Sequence, residues 1–95
     1  MISEFKIISI TGLGEEVLQK NLNEWDRLPP QTKLMWKTLF SRTVTHNPLT
    51  WRVVVRNNAL GGMLDAGDLV KKLDKSMSEL GCKKNFDYKI VVVKK

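Results

Sequence analysis

Apolar and polar residues alternate singly in some stretches of this chain and recur every three or four positions in others. The changes of period divide it into elements. Trp51-Arg52-Val53-Val54-Val55-Arg56 is the strongest strand signal. It is β-branched at its centre, with Asn47-Pro48 before it and Asn57-Asn58 and Gly61-Gly62 after it. Alternation sends Trp51, Val53 and Val55 to one side and Arg52, Val54 and Arg56 to the other. Phe5 to Ile10 and Phe86 to Val93 read as two further strands.

Helical spacing takes over elsewhere. Leu18, Leu22 and Trp25 predict an amphipathic helix from Glu15 to about Asp26, broken from the first strand by Thr11-Gly12-Leu13-Gly14 and ended by Pro29-Pro30. Leu69, Leu73, Met77 and Leu80 form the clearest apolar stripe. Asp65 is its expected N-cap, Leu64 and Leu69 its hydrophobic staple, and Gly81 its terminator. Lys33 to Thr45 reads both ways. As a strand it places Leu34, Trp36, Thr38, Phe40 and Val44 on one face. As a helix it has Pro30 in the first turn and Trp36 four residues before Phe40. A strand from about Trp36 to Thr45, turning at Asn47-Pro48 and with room for a short helical turn before it, is the preferred reading.

The resulting order predicts an α+β fold, a ferredoxin-like βαββαβ sandwich of two helices on one face of a four-stranded antiparallel sheet. The first and third strands are expected to be parallel neighbours at its centre. The alternative is βααβαβ with Gln31 to Arg42 helical and a three-stranded sheet. The resemblance is one of element order only. In either case the 95 residues form a single domain. The pattern puts Phe5, Ile7, Trp51, Val53, Val55, Tyr88, Ile90 and Val92 on one sheet face. Ile8, Ile10, Val54, Val91 and Val93 go to the other, mixed with Lys6, Arg52, Arg56 and Lys89. A second face with β-branched residues predicts a homodimer or a protein partner.

Charge sharpens this picture. The net charge is +6, and no Asp or Glu occurs between Arg27 and Leu64, a span holding six cations. Basic chains meet polyanions, so nucleic acid is the alternative partner. Lys6, Arg42, Arg52, Arg56 and Lys89 are the candidate phosphate contacts. The aromatic pattern of RNA-recognition modules is absent from the strand carrying Arg52 and Arg56, so contact would be sequence-tolerant.

Catalytic signals are thin. Gly12 and Gly14 sit where a dinucleotide fingerprint would, but Val17 replaces its third glycine and Glu15-Glu16 would repel a pyrophosphate. Together with Asn57, Asn58, Gly61 and Gly62 these glycines could flank one crevice if both loops leave parallel strands at the same end. A small-ligand sensor or enzyme there is a lesser alternative. His46 is the only histidine and Cys82 the only cysteine, so no catalytic set, metal site or cofactor is expected. Lys83 and Lys84 could activate the Cys82 thiol, though an inert thiol beside a helix end is the simpler reading. Trp25, Trp36 and Trp51 read as core or interface anchors. With no signal-like or membrane-spanning run, a cytoplasmic protein making no membrane contact is the default. The primary expectation is a small non-enzymatic binding or assembly module.

Overall fold

A computed structural model describes residues 2–56 and 66–95. The described elements run β1 (Glu4–Ser9), α1 (Gly12–Asp26), α2 (Pro30–Leu39), β2 (Phe40–Thr45), β3 (Thr50–Val55), α3 (Gly67–Glu79) and β4 (Tyr88–Lys94). The fold is α+β, with, among the described residues, three helices and a four-stranded antiparallel sheet in the order β2-β3-β1-β4.

Two expectations change. The ambiguous segment is neither all strand nor all helix, but α2 followed at once by β2. Pro30 opens the helix, whose body carries the good helix formers Leu34, Met35, Lys37 and Leu39. The β-branched half, Thr43-Val44-Thr45, pairs with β3 instead, which supplies the backbone partners an isolated helical turn would lack. The described residues therefore hold one helix more than the two-helix prediction and one strand more than its alternative. The second correction concerns direction. β1 and β3 are neighbours but antiparallel. Because the β2–β3 hairpin reverses the chain, the strand running the same way as β1 is β2, which β3 separates from it.

The register sorts the side chains of β1 and β3 as alternation predicts, while in β4 a register shift after Val92 brings Lys94, not Val93, opposite Glu4. Phe5 lies opposite Val53 and Val92, and Ile7 opposite Trp51 and Ile90. Phe5, Ile7, Trp51 and Val53 form one core cluster with Val17, Leu18 and Leu22 of α1 and Leu69, Leu73 and Met77 of α3; Ile90 packs against it, and Val92 is exposed. Each fully buried side chain of this size contributes about 1.5–3 kcal/mol. Asn21 of α1 is buried too, donating to the Val17 carbonyl and accepting from Ser76 of α3 at 2.8 Å. Tyr88 donates its hydroxyl to Asp74, which joins β4 to α3.

The helix ends follow from local chemistry. Thr11 caps α1 through Gly14 N–H at 3.1 Å, so the helix starts at Gly12 rather than Glu15. At the end of α3, Cys82 N–H bonds to the Met77 carbonyl and Gly81 N–H to that of Ser78, with Gly81 at φ +96°. This double bond pattern makes Gly81 the terminator its sequence position suggested. The expected cap and staple at Asp65 and Leu64 lie outside the described residues.

α2 has no fully buried residue. It is held by aromatic contact: Trp36 packs 5.5 Å from Trp25 and stacks 5.3 Å from Phe40, while Leu34 faces solvent. Replacing Met77 with Ala should therefore cost about 2–5 kcal/mol, whereas Leu34→Ala should stay within about 0.5 kcal/mol of the parent. Urea denaturation of the two variants checks the contrast.

Candidate functional site

The face of the sheet turned away from the core is set by the same registers. Three rows cross the four strands: Ser41, Val54, Glu4 and Lys94; Thr43, Arg52, Lys6 and Val91; Thr45, Thr50, Ile8 and Lys89. Of these twelve positions, four carry hydroxyls, four carry cations, one is an acid and three are apolar. The apolar three, Ile8, Val54 and Val91, stand in different rows and on different strands, and none joins the core cluster. β2 adds only Ser and Thr to this face. Of the five apolar residues expected there, Ile8, Val54 and Val91 are thus scattered across the three rows, and the exposed Ile10 and Val93 have no place in the paired register.

Lys6, Arg52 and Lys89 share this surface, as the sequence suggested. Lys6 sits directly opposite Arg52. Their repulsion is relieved by Glu4: Arg52 places Nε and Nη2 at 2.7 and 2.6 Å from Glu4 Oε2, a charge-assisted pair on a buried carboxylate. Lys6 and Lys89 make no ion pair among the described residues.

Arg42 does not join them. It lies opposite Val53, on the core side of β2, where it pairs with Asp26 and places its guanidinium carbon 5.6 Å from the Trp25 ring centroid. Arg56 follows β3 and, with Arg42 and Lys37, lines a cavity of about 260 Å³ at the β2 edge. The five candidate cations therefore form two groups, three on the open face and two at the edge.

The glycine crevice loses its premise. Because β1 and β3 are antiparallel, Ser9 lies at the Leu49 end of the sheet, and Val55 at the other, beside Ser3. Gly12 and Gly14 therefore follow a strand end remote from that of β3; Asn57, Asn58, Gly61 and Gly62 lie outside the described residues. Gly14 has a different task. A Cβ there would come within 1.8 Å of the Asp87 carbonyl oxygen, so glycine lets α1 meet the turn before β4. Ile10 and Thr11 N–H donate to that carbonyl, and the buried Asp87 side chain accepts from Thr11 Oγ1 at 2.6 Å and Lys83 N–H at 2.8 Å. The Thr11 hydroxyl, then the Lys83 N–H and nearby charge, hold the Asp87 carboxyl below the usual aspartate range, against the opposing effect of burial. Cys82 is buried beside this network, and desolvation followed by the Asp87 charge pushes its thiol up, away from reactivity. No group of three or more His, Cys, Asp or Glu side chains suited to a metal occurs among the described residues. His46 is an exposed residue of the β2–β3 turn.

One feature goes beyond the expected core or interface anchors. Trp25, Trp36 and Trp51 come together, with Trp51 edge-on to Trp25 at 5.3 Å, beside a cavity of about 290 Å³ between α1, α3 and β3. The sequence signal is there, three of the seven aromatic residues being tryptophan, but Trp36 joins the group from α2, where the preferred reading begins a strand. No helix among the described residues is long and apolar enough to cross a membrane. Comparison with known protein families, curated proteins and solved structures finds no match.

Two outcomes test the Asp87 junction. Gly14→Ala should lose about 3 kcal/mol of stability from overpacking, whereas Gly12→Ala, with nothing within 4 Å of the new Cβ, should be neutral or stabilising by up to about 1 kcal/mol. Because the folded-state pKa of Asp87 is depressed, its contribution is complete above the unfolded value near about 3.9 and is lost as pH falls through the lower folded value. Denaturation at about pH 5 and about pH 2 should show a smaller acid loss in Asp87→Asn than in the parent; equal losses would assign the acid sensitivity to other carboxylates.

Proposed function

We propose that this chain is a non-enzymatic binding module whose open sheet face takes a polyanion, with nucleic-acid phosphates as its ligand. The observation supporting this reading is the three-row map, in which eight of twelve positions offer hydroxyls or cations and a single acid stands among them. Cations and short hydroxyl side chains are the groups that meet phosphate oxygens, and no base-edge reading is needed for such contact. The architecture is read as the ferredoxin-like plan with α2 added ahead of β2. Sheet faces of that plan bind RNA by ring stacking, but this face carries no aromatic ring, so the reading is phosphate contact without sequence preference. Self-association through the same face, expected from its apolar residues, is the second reading; the scatter of Ile8, Val54 and Val91 among cations and hydroxyls favours the polyanion instead.

The test is fluorescence anisotropy with labelled single-stranded RNA and duplex DNA at about 50 and 200 mM salt. Binding should weaken steeply with salt. Lys6→Ala with Lys89→Ala should reduce the slope by about 0.7 per lost contact on a single strand. Glu4→Gln, which releases Arg52 from its carboxylate, should strengthen binding severalfold. Absence of binding at the lower salt, or a slope untouched by the double substitution, counts against this face.

A further inference from the structure

We infer that the cavity at the β2 edge is a binding site for a phosphomonoester group, the doubly charged phosphate carried by a nucleic-acid end or by a small molecule. Its cations are not those of the open face, and it does not rest on the polyanion reading. Trp25, Lys37, Phe40, Ser41, Arg42 and Arg56 line it. Local structure brings them together. Lys37 stands in the last turn of α2, and Phe40, Ser41 and Arg42 follow at once in β2. Arg56 N–H donates to the Leu39 carbonyl at 2.9 Å, which fixes the residue after β3 beside the junction of α2 and β2. The volume of about 260 Å³ lies just below the range of small-molecule sites and suits a phosphate with the few atoms that carry it, not a whole nucleotide.

Charge and access set the ligand chemistry. Among the described residues no acid lines the cavity. Lys37 and Arg56 are exposed, and neither makes an ion pair among the described residues. Arg42 contributes less. Its Nη2 holds Asp26, so the two charges cancel, and its Nη1 is enclosed. Contact with a ligand therefore falls to the exposed Lys37 and Arg56 and to the hydroxyl of the half-buried Ser41. Two cations are left without a carboxylate, so the matching ligand carries two negative charges on one group. A phosphomonoester does so near neutral pH and offers three acceptor oxygens to these donors, whereas a phosphodiester or a sulfate ester carries one charge. Trp25 and Phe40 give the atoms behind the phosphate an apolar wall.

Phenyl phosphate and phenyl sulfate are matched probes. Both join a tetrahedral group to one ring, and at about pH 8 the first carries two charges and the second one. Isothermal titration calorimetry gives the affinities, and spectra of ¹⁵N-labelled protein give the site. Phenyl phosphate should bind about tenfold more tightly than phenyl sulfate and shift the backbone N–H signals of Ser41 and Arg42. Lys37→Ala with Arg56→Ala should remove that preference; both residues are exposed, so the fold is kept. Lys6→Ala with Lys89→Ala, on the open face, should leave phenyl phosphate binding unchanged. Given that preference, tighter binding of a 5′-phosphorylated oligonucleotide than of its 5′-hydroxyl counterpart names a nucleic-acid end as the source, and equal binding of the two names a small phosphomonoester. Equal affinity for phenyl phosphate and phenyl sulfate overturns the inference, a result that needs no variant to fold. So does a preference that survives loss of both cations, or the absence of any shift at Ser41 and Arg42 at millimolar concentration.

Discussion

The antiparallel pairing of β1 with β3 is the constraint on which both surfaces of this protein depend. With Phe5 opposite Val53 and Ile7 opposite Trp51, every second residue of the two central strands is committed to the core. Glu4, Lys6 and Ile8 are thereby fixed opposite Val54, Arg52 and Thr50 on the other side. A slip of one residue would exchange the two sets, placing Lys6 and Arg52 among buried leucines, a cost of several kcal/mol per charge. The β-branched and aromatic residues thus specify the register, and the register in turn assembles the charged face.

Trp51 connects the two halves of the account. It is set by β3 pairing, yet its ring belongs to the aromatic group that docks α2 against the sheet. Trp25 at the end of α1 touches Trp51 on one side and Trp36 on the other, and Trp36 stacks on Phe40 where helix becomes strand. Arg42 adds its guanidinium to the Trp25 ring and its charge to Asp26. This explains why the arginine is withdrawn from the basic face: its strand position points it at the aromatic group, where stacking and an ion pair both receive it. An edge helix with no fully buried residue is held in this way by the two ring contacts of Trp36 and by Leu39 against the core.

Much of this was legible in the sequence because two periods are easy to tell apart. The Leu69, Leu73, Met77 stripe, its glycine terminator, and the division of Phe5, Ile7, Trp51 and Val53 from Lys6 and Arg52 all follow from local spacing. What could not be read was non-local. Segment 33–45 carries helix formers in its first half and β-branched residues in its second, and only pairing with β3 decides where one gives way to the other. The direction of β1 relative to β3 depends on the hairpin between β2 and β3, and the mistaken parallel pair carried the glycine crevice with it. The role of Gly14 was hidden for the same reason, since the Asp87 carbonyl that it accommodates is more than seventy residues away in the chain. Arg42 kept its charge but lost its place in the predicted group once β2 acquired a register.

Interstrand proton contacts in solution test the central pairing most directly. Nuclear Overhauser effects between the backbones of β1 and β3 should connect Glu4 with Val54, Lys6 with Arg52 and Ile8 with Thr50, and those between β1 and β4 should connect Lys6 with Val91. Contacts displaced by one residue, or a parallel pattern between β1 and β3, would contradict the division into an apolar core face and a cationic open face.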